Sequence, residues 1–364
     1  MLDAAASRFR PFEVVSKVRE STTITSFRLA PLEPQHWRPF EPGQFLTIRV
    51  PDRKGGYVLR NYTVSSSPRD EGTYRITVKR EAAPTQDVPE GLSSCWLHDD
   101  IEPGAVVEID PPRGAFKLDR ASARPVVLLS GGVGLTPTVS MLDVLARESD
   151  RPVWFIHACD SVAVHALRDE VEHLATVRAG ITLHFCYRFA GISDLEAAQC
   201  HSAGFLTRTT LQSLLPLDDY DIYMCGPPPF MQALYAILTG LGVRKDRIAY
   251  EFFGPASLLS EAPAPKQAAA PLVEPNVGED GLHVVLRKSG HSLAWDGASE
   301  SILAFLEAQG IEPEFSCRAG VCGTCEQGLV SGEVDYFEEP LDEVRADRVL
   351  LCCTRPKSSI VLDL

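Results

Sequence analysis

Five of the ten cysteines, Cys317, Cys322, Cys325, Cys352 and Cys353, crowd near the C-terminus, and no other feature restricts the fold of this chain so tightly. Cys317-Arg-Ala-Gly-Val-Cys322-Gly-Thr-Cys325 is a C-x4-C-x2-C loop, and cysteine recurs 27 residues further on. One loop must therefore turn three sulfurs inward while a distant segment supplies a fourth. Gly320 and Gly323 leave little bulk inside such a loop and allow positive φ, so amide N–H groups can turn towards the sulfurs. The other five, Cys95, Cys159, Cys186, Cys200 and Cys225, are scattered. The opening MLDAAASRFRPF carries an acid at Asp3 and no apolar core, so it does not read as a signal peptide. A reducing, cytoplasmic setting is expected, in which these cysteines ligate rather than build a disulfide framework.

The x4 gap is the spacing of a [2Fe–2S] cluster, whose two irons need four thiolates. Zinc is the competing occupant, although it favours paired C-x2-C or added histidine. The fourth ligand is ambiguous because Cys352 and Cys353 are adjacent. On an extended segment, neighbouring side chains point to opposite faces, so one of the two is expected at the cluster and the other in the packing.

The rest of the chain changes rhythm twice. Up to about residue 120 it shows short runs rich in Val, Ile, Thr and Phe (12–18, 23–30, 44–50, 74–80, 106–110) separated by Pro/Gly/Asp turns, which predicts an antiparallel barrel or sandwich. After Arg120, strand-like runs (125–130, 152–158, 181–187, 220–225) alternate with helical periods (135–148, 164–177, 229–242), the pattern of a doubly wound parallel sheet. An Ala/Pro-rich stretch from Pro255 to about Gly278 then reads as a semi-extended tether, with an ordered loop or packed arm as the alternative. Beyond it come strand-like runs at 283–288 and 291–295, a helix at 301–310, the cysteine loop, and strands at 349–353 and 360–364.

With 364 residues, two or three domains are expected, and no run of about 18 apolar residues is present to span a bilayer. The formal net charge of −14 argues against nucleic-acid binding, which draws its affinity from a basic footprint. From Glu279 onward 16 acidic residues face 7 basic ones, a concentration that suits docking to a basic partner or serves solubility alone.

Arg60-Asn61-Tyr62-Thr63 resembles the R-x-Y-[ST] flavin signature of the ferredoxin–NADP reductase superfamily. The remaining motifs of that superfamily follow in order. Gly91 to His98 (GLSSCWLH) resembles its second phosphate segment, and Gly131-Gly132-Val133-Gly134-Leu135-Thr136-Pro137 its GGxGxTP nucleotide loop. Cys225-Gly226-Pro227-Pro228 is similar to the C-G-P segment beside nicotinamide, and Tyr250-Glu251-Phe252-Phe253-Gly254-Pro255 to the ending of flavohaemoglobin-type reductase domains. The C-terminal part resembles plant-type ferredoxins, in which the last ligand lies four residues before a proline; Pro356 then selects Cys352. Thr63 for the commoner Ser, Cys95 where Asn or Thr is usual, and the doubled cysteine at Cys353 are the departures.

The resemblance implies a multidomain protein: an antiparallel β-barrel FAD domain (8–121), an α/β parallel-sheet NAD(P) domain (122–258), a linker (259–279) and an α+β β-grasp ferredoxin domain (280–364). It implies that Arg60 and Ser94 meet the flavin phosphates, Tyr62 and Phe253 flank the isoalloxazine, and Thr63 lies near flavin N5. Gly131, Gly132, Gly134, Thr136, Gly226 and Pro227 would hold the dinucleotide, with Cys225 and Glu251 beside the reacting rings. The metal ligands would be Cys317, Cys322, Cys325 and Cys352. FAD is expected, with FMN as the alternative. NADH is expected because the second strand ends at Asp160, although Arg188 after the third strand leaves NADPH open. The implied function is electron transfer from NADH through flavin and cluster to a separate protein acceptor, the oxygenase component of a Rieske-type monooxygenase or demethylase. The alternatives are reduction of a hybrid cluster protein and an iron–sulfur redox sensor. Neither nucleic acid nor membrane is an expected partner.

Overall fold

The computed structural model describes residues 9–51, 55–83, 90–251, 282–311, 313–315, 320, 323–338, 340 and 344–364. The chain divides into two compact units, Met1–Phe253 and Gly254–Leu364. The expected linker, 259–279, lies outside the described residues.

The first unit begins with strands β1 (Arg10–Arg19), β2 (Ile24–Pro31), β3 (Phe45–Pro51), β4 (Tyr57–Thr63) and β5 (Tyr74–Lys79), then helix α1 (Leu92–Asp99) and β6 (Val106–Arg113). They form a six-stranded antiparallel sheet in the order β4-β3-β6-β1-β2-β5. Its two edges meet where Val64 bridges Ile76 and the Ser65 N–H donates to the Arg75 carbonyl at 2.8 Å, which curls the sheet into a barrel and removes the exposed edges there. Alternating residues of these strands, among them Phe12, Val14, Phe27, Leu29, Leu46, Ile48 and Ile76, fill the interior.

The chain continues through β7 (Val126–Gly131), α2 (Leu135–Glu148), β8 (Val153–Cys159), α3 (Arg168–Thr176), β9 (Ile181–Tyr187), α4 (Ile192–Glu196), β10 (Ser202–Ala203), α5 (Arg208–Leu214), β11 (Asp221–Cys225), α6 (Pro228–Gly240) and β12 (Ile248–Glu251). The strands pair in parallel in the order β10-β9-β8-β7-β11-β12. The order reverses beside β7, so the crevice between the carboxyl ends of β7 and β11 is the topological switch point where such sheets bind ligands. The helix expected over 164–177 starts only at Arg168, because Leu167 takes a left-handed backbone (φ 53°) that α-helix cannot continue through.

Helix α2 is buried along Leu135–Ala146, apolar and polar residues alike, because it has protein on more than one side. Its Ser140 hydroxyl donates to the Ser66 carbonyl (2.9 Å) and its Asp143 accepts from Ser67 Oγ (2.5 Å), both at the barrel end. Arg75 of β5 grips Glu170 of α3 through two hydrogen bonds of 2.6 and 2.9 Å, and the Asp119 N–H donates to Tyr223 Oη at 2.8 Å. Barrel and parallel sheet thus fold as one body.

The second unit contains β13 (His283–Leu286), β14 (His291–Ala294), α7 (Ile302–Ala308), β15 (Glu326–Ser331), β16 (Val334–Tyr336), β17 (Arg348–Leu350), β18 (Thr354–Pro356) and β19 (Ile360–Leu362). A mixed sheet, β14-β13-β19-β15-β17, packs Val284, Leu286, Val349, Ile360 and Leu362 with Ile302, Leu303, Phe305 and Leu306 of α7, a β-grasp arrangement. The extended segment expected at 349–353 is broken: Leu351–Cys353 forms a 3-10 turn between β17 and β18. Among the described residues no helix is long and apolar enough to cross a membrane.

Two predictions arise from this architecture. His157 and His165 are buried with ring centroids 4.6 Å apart, held by Ser130 and Tyr187, and each leaves Nε2 without a hydrogen-bond partner. Burial depresses them, to about 4 for His157 and about 2 for His165. The unfolded chain therefore takes up their protons first, and stability present above about pH 6.5 drains away as the pH falls towards 4. Urea unfolding should show that loss, and His157→Gln should flatten it by about 1.4 kcal/mol per pH unit. Second, a Cβ at Gly134 would lie 2.3 Å from the Cys225 carbonyl oxygen. Gly134→Ala is expected to cost about 1–3 kcal/mol in the same unfolding assay and to weaken dinucleotide binding measured by calorimetry.

Candidate functional site

The switch-point crevice is built from backbone packed against backbone. Gly131 ends β7, Gly132–Gly134 makes a 3-10 turn, and Gly134 leads into the first turn of α2 without a side-chain cap. Opposite, Cys225 ends β11 and Pro227 precedes α6. A Cβ on Gly226 would fall 2.7 Å from the Phe230 ring and 3.1 Å from the Gly131 nitrogen, so the two loops approach this closely only because both carry glycine. Thr136 is buried and donates from Oγ1 to the Val133 carbonyl at 3.2 Å, bracing the turn. The uncapped amides at the start of a 14-residue helix suit a pyrophosphate.

Three of the expected residues converge at one point of this crevice. Cys225 and Glu251 are register partners on β11 and β12, and Thr63, the last residue of β4, donates from Oγ1 to Glu251 Oε2 at 3.5 Å. Burial, with the Glu251 carboxylate nearby, pushes the fully buried Cys225 thiol well above its usual range, so it is held as a neutral wall rather than a thiolate nucleophile. The site therefore carries one carboxylate, one hydroxyl and one thiol, drawn from the barrel and the parallel sheet together. It can position and electrostatically tune a reacting ring, and among the described residues it offers no nucleophile–base pair.

The remaining barrel residues sit on β4 and α1. Tyr62 Oη shares a 2.6 Å hydrogen bond with Ser93 Oγ, and burial pushes the phenol up to about 12, so it stays protonated with its ring pinned. Ser94 is turned elsewhere: its hydroxyl accepts from the Glu81 N–H at 3.1 Å and donates to the Gly91 carbonyl at 3.2 Å, fastening the start of α1. Ser93 is thus the member of the pair that sequence reasoning passed over; adjacency to Ser94 was its sole signal. Arg60 is exposed, with Nη1 donating to the Leu59 carbonyl at 2.7 Å, and its positive charge reaches Tyr62. Phe253 lies outside the described residues.

At the far end of the parallel sheet, Arg188 lies 4.0 Å from Asp160, with its guanidinium over the exposed rings of Phe189 (4.8 Å) and Phe205 (5.2 Å). An acid therefore stands where the second strand ends, and the nearest arginine is drawn towards it.

In the second unit, Cys317 and Cys322 lie outside the described residues. Cys325 and Cys352 are buried, and the Cys325 carbonyl accepts from the Leu351 N–H at 3.3 Å, tying the end of the cysteine loop to the turn that carries Cys352. Gly320 (φ 66°) directs its N–H at Cys352 Sγ, 3.4 Å away, and Gly323 also has positive φ (70°). Buried sulfurs met by a backbone amide are the donor set and the hydrogen bonding that an iron–sulfur cluster requires, so the described residues fit that group. The Cys353 thiol donates to the Leu350 carbonyl at 3.7 Å.

Comparison with known proteins agrees with this arrangement. Residues 11–118 match the oxidoreductase FAD-binding domain, residues 128–235 the oxidoreductase NAD-binding domain and residues 285–357 the 2Fe-2S iron-sulfur cluster binding domain. A flavohemoprotein of Bacillus thuringiensis subsp. konkukian is 41% identical over 253 residues, which make up 69% of this chain and 62% of the relative, so the chain spans less than two thirds of that protein. The flavohem-like FAD/NAD-binding domain of nitric oxide dioxygenase from Vibrio cholerae O1 biovar El Tor superposes with a TM-score of 0.60 at 34% identity, over 68% of this chain and 99% of that one. Phthalate dioxygenase reductase, a modular structure for electron transfer from pyridine nucleotides to [2Fe–2S], aligns over 98% of both chains with a TM-score of 0.57 and 25% identity. With motif order, sheet topology and cluster loop all in agreement, this chain belongs to the ferredoxin–NADP reductase superfamily, as an NAD(P)H oxidoreductase that carries a plant-type [2Fe–2S] ferredoxin domain behind its FAD- and NAD-binding domains.

Proposed function

We propose that this protein is the reductase component of an oxygenase system, working in the cytoplasm and passing electrons from NADH through FAD and a [2Fe–2S] cluster to the separate oxygenase, of Rieske type. The observation that carries the reading is the alignment of 98% of the chain with phthalate dioxygenase reductase, a modular structure for electron transfer from pyridine nucleotides to [2Fe–2S]. Reduction of a different metalloprotein, such as a hybrid cluster protein, uses the same internal path, and identification of the protein that accepts the electrons separates the two. The modules would run 8–121, 122–258 and 280–364, joined by 259–279.

Within that reading the residues divide the work. Arg60 and the start of α1, which Ser94 fastens, would hold the flavin pyrophosphate, and Tyr62 and Phe253 would flank the ring. The Gly131–Gly134 turn, Thr136 and the first turn of α2 hold the dinucleotide phosphates, while Gly226 and Pro227 leave room for nicotinamide beside Cys225. Thr63 and Glu251 would orient the flavin ring, and the close-packed walls would keep water out of the crevice. Bound flavin supplies the conversion of a two-electron donor into single-electron steps. Cys317, Cys322, Cys325 and Cys352 would hold the [2Fe–2S] cluster, which would supply a one-electron acceptor for the flavin. Asp160 favours the free ribose hydroxyls of NADH and repels a 2′-phosphate.

Two measurements test this. Anaerobic titration with NADH should bleach flavin and cluster together, with uptake of about three electrons per chain and a rhombic EPR signal; NADPH should need higher concentrations. Flavin bleaching without that signal, or no bleaching at all, would sink the proposal. Glu251→Gln should retain FAD yet slow NADH-driven flavin reduction in stopped flow by roughly 10–100-fold, the weight of one charge-assisted hydrogen bond.

A further inference from the structure

We infer that Cys353 is a standby fourth ligand for the iron–sulfur cluster, an inference that rests on the [2Fe–2S] reading above. Adjacent cysteines on a strand would place their sulfurs on opposite faces, and one of them would be out of reach. Here the segment is the 3-10 turn Leu351–Cys353, with about 120° between successive side chains. Both sulfurs accordingly approach the same residue of the cysteine loop. The Gly320 N–H meets Cys352 Sγ at 3.4 Å, and a Cβ built on Gly320 would lie 3.1 Å from Cys353 Sγ. Gly320 is in the left-handed region and buried, so this residue sits against the two sulfurs with no side chain of its own between.

The two cysteines are not equivalent in this arrangement. Cys352 receives the backbone amide, the hydrogen bond that stabilises a thiolate, and is the resident ligand. Cys353 spends its S–H on the Leu350 carbonyl at 3.7 Å, a weak bond that is readily given up. Its sulfur is fully buried beside Gly320, and a local adjustment of the turn would bring it into its neighbour's place. In that exchange the Cys352 sulfur–iron bond would break and its thiolate take up a proton, while the Cys353 thiol gives up its proton as the new sulfur–iron bond forms; where Cys352 is substituted, the Cys353 proton leaves to solvent. The cluster keeps four thiolates and an unchanged charge.

The test uses the full chain, with iron and acid-labile sulfide content and EPR as readouts. Cys353→Ala should keep the wild-type spectrum. Cys352→Ala should retain a [2Fe–2S] cluster, about two irons per chain, with a shifted g-tensor, and Cys352→Ala/Cys353→Ala should lose it. Cys352→Ser, which preserves size, should show the spectrum of an all-sulfur cluster rather than that of an oxygen-ligated one. Flavin content reports whether the first unit has folded in each variant. Loss of the cluster in Cys352→Ala and oxygen ligation in Cys352→Ser overturn the inference. So does survival of the cluster in the double variant, or its loss in Cys353→Ala. Absence of any cluster from the wild-type chain would instead overturn the [2Fe–2S] reading itself.

Discussion

The contact between the Gly134 turn and the carbonyl of Cys225 fixes the geometry of the reductase unit. Two strands of a parallel sheet lie about 4.8 Å apart, and at the switch point the segments leaving β7 and β11 must diverge without side chains colliding. Glycine at 131, 134 and 226 permits it, and the packing of Phe230 and Pro227 against Gly131 then fixes the floor of the crevice. Everything that the site offers chemically stands at its rim. Cys225 is there because β11 ends there, Glu251 because β12 runs parallel to it, and Thr63 because the barrel brings the end of β4 to the same place.

Polarity follows from that construction. A carboxylate beside a buried thiol costs solvation, and the thiol answers by staying protonated. Burial keeps Tyr62 protonated in the same way, although its hydrogen bond to Ser93 pulls in the other direction. The groups nearest the reaction are thus neutral or singly charged. That suits a hydride moving between two flat rings, where stray acids or bases would divert the charge.

Much of this was legible in the sequence. Helix α2 falls on the predicted 135–148 because the glycine loop marks its start and Leu135, Val139, Leu142 and Leu145 keep helical spacing along it. The motifs gave the order of the modules, and the cysteine spacing gave the cluster domain. What could not be read depends on local backbone choices that periodicity does not encode. Leu167 adopts a left-handed conformation and delays α3, and Leu351–Cys353 coils where a strand was expected. Ser93 and Ser94 look interchangeable in the sequence, yet one faces Tyr62 and the other its own helix start. No pattern in the sequence marks Ser66, Ser67 or Asp143, whose role depends on the barrel packing against α2.

Those last residues bear on motion. The Arg75–Glu170 pair, the Ser140–Ser66 bond and the Asp119–Tyr223 bond fasten the barrel to the parallel sheet at separate points along the chain. Swinging one against the other like a clamshell would have to break all of them at once. Exchange of a bound dinucleotide that leaves these bonds intact would have to proceed through local movement at the carboxyl edge of the sheet.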